Sequence, residues 1–431
     1  MPLHQGCRTS HSVSAMEEIQ ATPLLKSRKP WHLIQTSGDL ELAIDELRKF
    51  EGWFGIDAER ASGFKYSQRA YLIQVNRSDS DIYLIDPAAI SPKIDPSKFE
   101  SLAQLLSEDA WILHAATQDL ACLAELGLVP SAIIDTELGS RIAGIPRVGL
   151  GSVVEHYLKL SLAKEHSAVD WSTRPLKDSW LEYAALDVDV LHELASELLE
   201  DLKSQGKEEF AFQEFAHLLK FKPKAEKQDK WRGISGLHEV KDQRGLAIAR
   251  ALWQARETLA IKLDVAPGRL IPDLSISHVA KRQTPSRPEL ANDKAFTGRA
   301  SRSYLDTWWE AIEIGRNTRD LPPLRVPTTG IPNHRIWPNK YPEANKRLIV
   351  CKEVVANKSI ELNIPQENLL TPDFLRQLCW EELIEKNSDS VQRKLSECGA
   401  RSWQSELLAS ELSAALVRAP EYVPDTTQQE T

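Results

Sequence analysis

The spacing of hydrophobic residues over the first 200 positions predicts a mixed α/β domain. Three strands in a row predict an antiparallel meander, and the later alternation of helix and strand makes the expected sheet mixed. Helical spacing predicts helices beginning near residues 38, 99, 117, 153 and 179. Runs of bulky and β-branched residues predict strands over residues 32–34, 54–59, 70–75, 82–86, 111–114 and 133–135.

The second half of the chain is predicted to be helical, with two linkers. Residues 203–236 are rich in Lys, Gln and Glu, and residues 317–344 are rich in proline. Residues 269–273 resemble residues 367–373, and each stretch follows an apolar helix and a proline turn, which indicates two copies of one helical module. The predicted division is a mobile segment over 1–25, an α/β domain over 26–202, a linker over 203–236, a helical module over 237–316, a Pro-rich linker over 317–344, a second module over 345–418 and a tail over 419–431.

The composition is that of an ordinary globular protein, with 42% hydrophobic and 27% charged residues. No run approaches the roughly 18 apolar residues of a membrane span, and the N-terminus lacks the features of a secretory signal. The five cysteines are scattered without CxxC spacing, which favours reduced thiols and argues against a zinc site. These features predict a cytoplasmic protein with no membrane partner. Whether synthesis begins at Met1 or Met16 stays open.

The net charge of −9 hides an uneven distribution of charge. Residues 203–316 carry 21 Lys and Arg against 15 Asp and Glu, so the rest of the chain is strongly acidic. A basic middle beside an acidic region suits a protein that holds phosphates with one part and metal cations with another. Chance produces such a division as well.

Five side chains supply the candidate chemistry of the α/β domain. Asp57 and Glu59 project to one face of a predicted strand, where like charges repel unless a cation lies between them or one is protonated. Asp119 opens a predicted helix, and Tyr183 and Asp187 share a helix face. Each has an ordinary alternative: a solvated strand end, a helix-capping contribution of about 0.3–1 kcal/mol, or a surface Asp beside a half-buried Tyr.

The order and spacing of these five residues look like the exonuclease motifs of the DEDD superfamily in its tyrosine-bearing form. The stretches around them, residues 114–119, 134–136, 170–176 and 183–187, closely resemble ribonuclease D, and the resemblance covers roughly residues 30–200. It implies a ribonuclease H-like mixed sheet with flanking helices. It also implies a 3′–5′ exoribonuclease that releases 5′-nucleoside monophosphates and processes tRNA or other structured RNA.

The same resemblance implies the roles of the five residues. Asp57, Glu59, Asp119 and Asp187 are expected to hold two divalent cations, Mg²⁺ or Mn²⁺, because these ions prefer oxygen ligands. Two ions about 3.5–4 Å apart clamp the attacking and leaving oxygens of a phosphodiester displacement. Tyr183 is expected to orient the attacking water with its hydroxyl.

The sequence departs from the ribonuclease D pattern beside the first two acids. Ala58 stands where Thr is common, and Arg60 stands where an apolar or aromatic residue is common. Neither is a metal ligand, so we expect activity to survive. Arg60 is expected either to reach a substrate phosphate or to form an exposed salt bridge. Arg174 is expected either to touch substrate or to stabilise the domain.

The two helical modules resemble the HRDC domain and the second, HRDC-like module of ribonuclease D. The first resemblance depends on residues 252–256, 267–271 and 285–290. The second depends on Lys352, Ala356 and residues 365–370 and 375–378. HRDC domains bind nucleic acid, so RNA is the expected partner of a chain that is expected to be monomeric. The candidate nucleic-acid contacts, of which most could be ordinary solvated charges, are Arg60, His114, Gln118, Arg174, Arg256, Lys281 and Arg282.

Two other functions fit the same residues. A DNA exonuclease of the same superfamily would use the same acidic constellation, and only the resemblance of the helical modules favours RNA. A catalytically silent RNA-binding protein is disfavoured because all five chemical positions are present. Metal-dependent release of mononucleotides from RNA or DNA distinguishes the three.

Overall fold

A computed structural model describes residues 21–163, 169–223, 229–296, 298–326 and 330–422. Within these ranges the chain forms an α/β domain followed by two helical modules, as predicted. The questions of the start at Met1 or Met16, and of the tail beyond residue 422, lie outside the described residues.

The strands of the described residues all lie in the first domain. They are β1 (Thr22–Leu24), β2 (Trp31–Ile34), β3 (Phe54–Arg60), β4 (Ala70–Arg77), β5 (Ile82–Ile85), β6 (Trp111–Leu113), β7 (Ile133–Asp135) and β8 (Leu160–Leu162).

Six of these strands form one mixed sheet in the order β2-β5-β4-β3-β6-β7. β3, β4 and β5 pair antiparallel, which confirms the predicted meander. β2 pairs with β5, and β6 pairs with β3 and β7, in parallel. β1 and β8 form a separate parallel pair. β3 and β4 lie at the centre of the sheet, so their side chains face a layer of packed helices on each side.

The helices of the first domain cover both faces of the sheet. They are α1 (Ser37–Leu47), α2 (Pro87–Ile90), α3 (Glu100–Leu106), α4 (Leu120–Ala124), α5 (Thr136–Ala143), α6 (Leu150–Leu158), α7 (Asp178–Asp189), α8 (Leu191–Ser204) and α9 (Glu208–Leu218).

Alternate residues of β4 pack into different cores, because successive side chains of a strand point to opposite faces. Ile73 belongs to the core that contains Ile44 of α1, whereas Leu72 belongs to the core that contains Leu181 of α7. Leu72 lies opposite Glu59 in the β3–β4 pair. Residues opposite each other on paired strands share a face, so Glu59 also faces α7.

The two modules follow the α/β domain. The first consists of α10 (Gln243–Leu263), α11 (Pro267–Leu270), α12 (Asp273–Arg282), α13 (Arg287–Asn292), α14 (Arg299–Ser303) and α15 (Leu305–Asn317). The second consists of α16 (Trp337–Lys340), α17 (Pro342–Leu362), α18 (Gln366–Leu369), α19 (Pro372–Trp380), α20 (Ser388–Cys398) and α21 (Ser402–Arg418). Among the described helices, none is long and apolar enough to cross a bilayer.

The predicted repeat between the modules is confirmed. α10 and α17 both have 21 residues, and each ends at a residue with left-handed backbone angles, Asp264 (φ 47°) and Asn363 (φ 48°). A four-residue helix follows each of them, and a longer helix comes next. Asp264 and Asn363 therefore occupy the same position in the two modules.

These equivalent corners contact the α/β domain at two different places. Asp264 Oδ1 accepts a hydrogen bond from the Ser67 backbone N–H at 2.8 Å, in the loop that follows β3. Asn363 packs against Gly144, which ends α5 with φ 85°. A Cβ at Gly144 would lie 2.3 Å from Asn363 O, so only glycine fits this contact. In both modules, the turn after the longest helix therefore contacts the α/β domain.

The linker predicted over 203–236 is wrong for residues 208–218, which form α9. Ala211 and Phe215 are buried in the core that contains α7. The Glu214 carboxylate receives two hydrogen bonds from the Arg401 guanidinium, at 2.7 and 2.6 Å. The many charged and amide residues of this stretch concealed an amphipathic helix, and its partner lies 187 positions away.

Three other predicted boundaries differ from the structure. Residues 22–24 of the segment expected to be mobile form β1. Trp337, within the predicted Pro-rich linker, is fully buried and packs on Trp380 with ring centroids 5.2 Å apart. Ala419, the first residue of the predicted tail, is also buried. In each case a few apolar residues in a polar stretch pack against distant parts of the chain.

Candidate active site

Asp57, Glu59 and Asp187 meet where β3 faces α7. One carboxylate oxygen from each residue lies within 4.8 Å of those of the other two. The two strand residues share a face because they are two positions apart, and α7 crosses that face. All three side chains are partly buried. Solvent therefore screens their mutual repulsion only in part.

Asp119 reaches the same place through a sharp turn between β6 and α4. Ala115 in this turn has left-handed backbone angles, with φ 63°. The Asp135 carboxylate, at the end of β7, accepts hydrogen bonds from the backbone N–H groups of Ala115 (3.0 Å) and Ala116 (2.9 Å). Asp119 occupies the N-cap position of α4, and its side chain makes no capping hydrogen bond to this helix. Asp135 is thus a positioning residue for Asp119.

Asp119 is 4% exposed and forms a side-chain hydrogen bond with Asp57. Burial first, and the negative charge of Asp57 second, raise the pKa of Asp119 to about 8. In the metal-free chain this carboxyl group therefore carries a proton at neutral pH. The proton explains how two acidic side chains can share one hydrogen bond.

The pKa values of the other three acids are raised as well, and burial is the main cause for Asp57. Burial raises the pKa of Glu59 well above its usual range, and the charges of Asp57, Asp187 and Asp119 add to the increase. Burial, and then the charge of Asp57, raise the pKa of Asp187 in the same way. The cationic neighbour that opposes the increase at Glu59 is Arg60.

Tyr183 lies one helical turn before Asp187 on α7, and the two side chains form a hydrogen bond. Burial, and then the charges of Asp187, Glu59 and Asp57, raise the pKa of Tyr183 above its ordinary value. The hydroxyl group therefore keeps its proton at neutral pH. It can hold a water molecule by hydrogen bonding, but it cannot serve as a general base.

Arg60 is turned toward the acids by an irregularity of the strand. The β3–β4 register shifts between Glu59 and Arg60, and such bulges change the direction of a side chain. Arg60 Nε lies 3.9 Å from Asp119 Oδ1, and the Arg60 side chain is 26% exposed. The exposed salt bridge expected as one alternative is therefore a partly buried contact with the acidic cluster.

Gln74 is a further site residue, which the motifs of the sequence do not include. It lies opposite Asp57 in the β3–β4 pair and is fully buried, with Nε2 3.5 Å from Asp57 Oδ2. Its Oε1 atom has no hydrogen-bond partner within the described part of the chain. The available signal was a polar residue in the middle of an apolar strand, because a buried amide is costly without a reason.

The donor set fits hard divalent cations. Asp57, Glu59, Asp119 and Asp187 crowd four carboxyl groups into a partly buried space beside one arginine. Carboxylate oxygens are the ligands that Mg²⁺ and Mn²⁺ prefer. Divalent cations would replace the protons that these groups otherwise retain. Asp119 lies outside the group of atoms within 4.8 Å and joins it through Asp57.

Two of the other predicted contacts lie beside Asp119. His114 Nδ1 is 2.9 Å from Thr136 Oγ1, and burial lowers the pKa of His114 to about 4, so this imidazole is neutral. Gln118 is exposed in the turn that precedes Asp119. Of these two residues, Gln118 is the one that presents its side chain to solvent next to the acids.

Arg174 stabilises the domain, the second of its two expected roles. Its guanidinium donates two hydrogen bonds to the fully buried Asp86 carboxylate, both at 2.7 Å. It also donates to the backbone carbonyls of Tyr71 and Trp171, at 2.9 and 2.7 Å. These donors are committed to the protein, so a substrate contact for Arg174 is not supported.

The predicted contacts in the first module divide into one buried and two exposed residues. Arg256 is 4% exposed and donates to Ile271 O at 3.1 Å and to Asp273 Oδ1 at 2.7 Å, so its prediction as a nucleic-acid contact is wrong. Lys281 and Arg282 are exposed and pair with acidic residues of the same module. They stay candidate contacts.

Comparison with known proteins matches three parts of the chain to family models. Residues 31–203 match a 3′-5′ exonuclease domain, residues 245–312 an HRDC domain, and residues 330–416 a 3′ to 5′ exonuclease C-terminal domain. A curated ribonuclease D of Gluconacetobacter diazotrophicus is 31% identical over 255 residues, which cover 58% of this chain and 62% of that protein. The ribonuclease D of Desulfotalea psychrophila is 28% identical, over 68% of this chain and 78% of that protein.

Two solved structures are similar over nearly the whole chain. A protein from Bifidobacterium adolescentis is 35% identical, covering 92% of this chain and 100% of its own, with a TM-score of 0.82. Escherichia coli RNase D, described as an exoribonuclease involved in structured RNA processing, is 25% identical. It covers 91% of this chain and 100% of its own, with a TM-score of 0.63.

The mixed sheet, the four converging acids and the neighbouring tyrosine define a DEDD-type 3′–5′ exonuclease fold with helical HRDC-type modules. The three matched domains occur in this chain in the order expected from the sequence resemblance. The chain belongs to the ribonuclease D family of 3′–5′ exoribonucleases.

Proposed function

We propose that this chain is a metal-dependent 3′–5′ exoribonuclease that releases 5′-nucleoside monophosphates one at a time from the 3′ end of RNA. The observation that carries the proposal is the cluster of Asp57, Glu59 and Asp187 oxygens within 4.8 Å, extended by Asp119. Such a group is unfavourable without cations, because burial and mutual repulsion raise the pKa values of its members. It is therefore suited to binding cations.

The residues divide the work between holding cations and orienting the attacking water. Asp57, Glu59, Asp119 and Asp187 are the expected ligands of two divalent ions. Bound divalent cations would supply Lewis acidity that lowers the pKa of a water molecule and neutralises charge on the scissile phosphate. Tyr183, hydrogen-bonded to Asp187, keeps its proton and orients the water. Asp135 and Gln74 position Asp119 and Asp57.

The substrate contacts near the acids are Arg60 and Gln118. Arg60 is partly exposed and its Nε atom lies 3.9 Å from Asp119 Oδ1, so its guanidinium can turn to a phosphate. Gln118 is exposed beside Asp119 and can donate to the terminal nucleotide. In the first module, Lys281 and Arg282 stay candidate phosphate contacts, with affinity for RNA that falls as salt rises.

RNA is the preferred substrate class, and structured precursors such as tRNA are the preferred targets. The proposal draws support from the two helical modules and from the similarity to an exoribonuclease involved in structured RNA processing. Use of Mg²⁺ or Mn²⁺, a monomeric state and a cytoplasmic location are further parts of the proposal. A DNA exonuclease would use the same acids and is the second outcome to test.

The test is incubation of the full chain with 3′-labelled RNA and 3′-labelled DNA in Mg²⁺, in Mn²⁺ and in EDTA. We expect metal-dependent release of labelled 5′-mononucleotides from RNA and no release in EDTA. Faster release from DNA would reverse the substrate assignment. Absence of release from both nucleic acids in both metals would refute the enzymatic function.

A further inference from the structure

The second module contains a cavity that the proposed function does not use. It has a volume of about 400 Å³ and lies between α17, α18 and α19. The buried part of its lining, which we call the floor, is apolar and is formed by Leu348, Val355, Leu370 and Leu375. The more exposed part is called the mouth. This volume is within the roughly 300–1,000 Å³ that small-molecule sites occupy.

The repeat shows how the two modules differ at the position of this cavity. The equivalence of Asp264 and Asn363 sets the correspondence between the modules, and on this basis Val355 stands where the first module has Arg256. Arg256 is buried and donates to Ile271 O and to Asp273 Oδ1. The second module has Pro372 in place of Asp273, so it lacks both the buried arginine and the carboxylate that holds it.

The mouth of the cavity is cationic. Lys352 and Arg376 lie there together with His334. Burial, and then the positive charges of Lys352, Arg376 and Arg335, lower the pKa of His334. One acidic residue offsets this charge, because Asp373 Oδ1 accepts a hydrogen bond from Arg376 Nη2 at 2.9 Å.

The charges at the mouth are also peculiar to the second module. The residues of the first module that correspond to Lys352 and Arg376 are Trp253 and Ser277, and neither carries charge. Lys352 makes no ion pair with any residue in the described ranges. Its ammonium group is therefore available to an anionic ligand.

We propose that this cavity binds one unpaired nucleotide of the RNA substrate, with the base against the apolar floor and the phosphate at Lys352 and Arg376. An apolar surface beside phosphate-binding cations is the combination that unpaired nucleotides require. The proposal rests on the proposed function for the choice of RNA. The second module would then hold substrate through this cavity, while the first module has the buried Arg256 at the position equivalent to Val355.

The first test reverses the charge at the mouth of the cavity in the full-length chain. Binding of a fluorescein-labelled single-stranded RNA is followed by anisotropy in EDTA, which prevents turnover. We expect Lys352→Glu with Arg376→Glu to weaken binding by roughly tenfold or more. The log–log slope of affinity against salt should become shallower by about 0.7 for each phosphate that the variant no longer neutralises. Arg393→Glu with Lys394→Glu, on α20, makes the same charge change away from the cavity and should weaken binding much less.

The second test fills the cavity without reducing positive charge. Val355→Arg with Pro372→Asp rebuilds the arrangement of the first module and leaves the net charge unchanged. We expect weaker RNA binding together with an unchanged melting temperature. The proposal would be overturned if this variant binds RNA as tightly as the wild-type protein and the two charge reversals weaken binding equally. These results would indicate general electrostatic attraction.

Two further arms separate this proposal from others. Release of mononucleotides from a dinucleotide, whose two nucleotides both flank the scissile phosphate, should be the same in wild-type and cavity variants. If the proposed function is wrong, the wild-type protein will release no mononucleotides. The binding measurements would still test whether the cavity binds RNA. If free 5′-AMP binds the wild-type cavity but every cavity variant binds RNA with wild-type affinity, the RNA assignment is wrong.

Discussion

Two sets of buried carboxylates in this chain have opposite surroundings. Asp86 is fully buried and receives two hydrogen bonds at 2.7 Å from Arg174, and Glu214 receives two from Arg401 at 2.7 and 2.6 Å. The acids around Asp57 are held against one another instead. Arginine side chains of the protein neutralise the carboxylates of the first set, whereas the carboxylates of the second set are available to bind a ligand.

The difference shows that burial of a carboxylate does not by itself mark an active site. Asp135 is buried as well, yet it accepts hydrogen bonds from four backbone N–H groups, two of which are those of Ala115 and Ala116. A buried acid is structural where arginine or backbone donors meet it, and it is a candidate ligand where other acids meet it.

The largest expected effect is loss of activity in Asp57→Asn. This substitution removes one ligand charge at nearly constant volume, and a loss of about 4 kcal/mol of transition-state stabilisation corresponds to roughly 10³-fold in kcat. The metal-free protein should melt at the same temperature as wild type or higher, because one source of repulsion is gone. Calorimetry measures the melting temperature, and an RNA release assay measures kcat. A variant that keeps activity, or loses its fold, would contradict the account.

Removing the arginine partner of Asp86 should lower stability and leave activity nearly unchanged. Arg174→Ala leaves Asp86 buried without a counter-charge, so we expect the free energy of unfolding to fall by about 3–5 kcal/mol. The rate of RNA cleavage by the folded fraction should stay near that of wild type. Urea denaturation followed by fluorescence measures the change. Lys49→Ala, which removes an exposed pair with Glu46, is the control and should cost less than about 1 kcal/mol.

Tyr183→Phe should separate orientation of water from metal binding. Loss of the hydroxyl should lower kcat by roughly 10²-fold. The concentration of Mn²⁺ that gives half-maximal activity should change little, because the four carboxylates stay in place. A large shift in the metal requirement, with kcat preserved, would show that Tyr183 acts on the cations instead.

A pH-dependent effect should appear in the stability of the metal-free chain. The pKa of Asp119 is about 8 in the folded chain and near 3.8 when unfolded, so the folded state binds more protons between these values. Its contribution to stability is present below pH about 4 and is lost as pH rises toward 8. In EDTA, the melting temperature of wild type should therefore fall more steeply over this range than that of Asp119→Asn. Parallel curves would argue against the raised pKa.

The sequence predicted the parts of this molecule that depend on local pattern. The alternation in β3 placed Asp57 and Glu59 on one face, and the one-turn spacing placed Tyr183 beside Asp187. The antiparallel meander and the repeat of the helical module followed from strand order and from matching turns. These features are encoded within a few neighbouring residues.

The features that escaped prediction depend on contacts between distant residues. The sequence does not reveal α9, because Ala211 and Phe215 pack into the core and Glu214 pairs with Arg401 of the second module. The basic side chain of Arg256 suggests an RNA contact, and no local pattern shows that it is buried and donates to Ile271 O and Asp273 Oδ1. Gln74 and Asp135 act through their neighbours in space, which no local pattern displays.

Titration of the metal-free protein with Mn²⁺ by isothermal calorimetry tests the central claim most directly. The account predicts binding at about two ions per chain at neutral pH, with release of protons, since the carboxyl groups must ionise to coordinate. It predicts the loss of this binding in Asp57→Asn and its preservation in Arg174→Ala within the folded fraction. Equal binding by wild type and Asp57→Asn would contradict the assignment of the acidic cluster as the metal site.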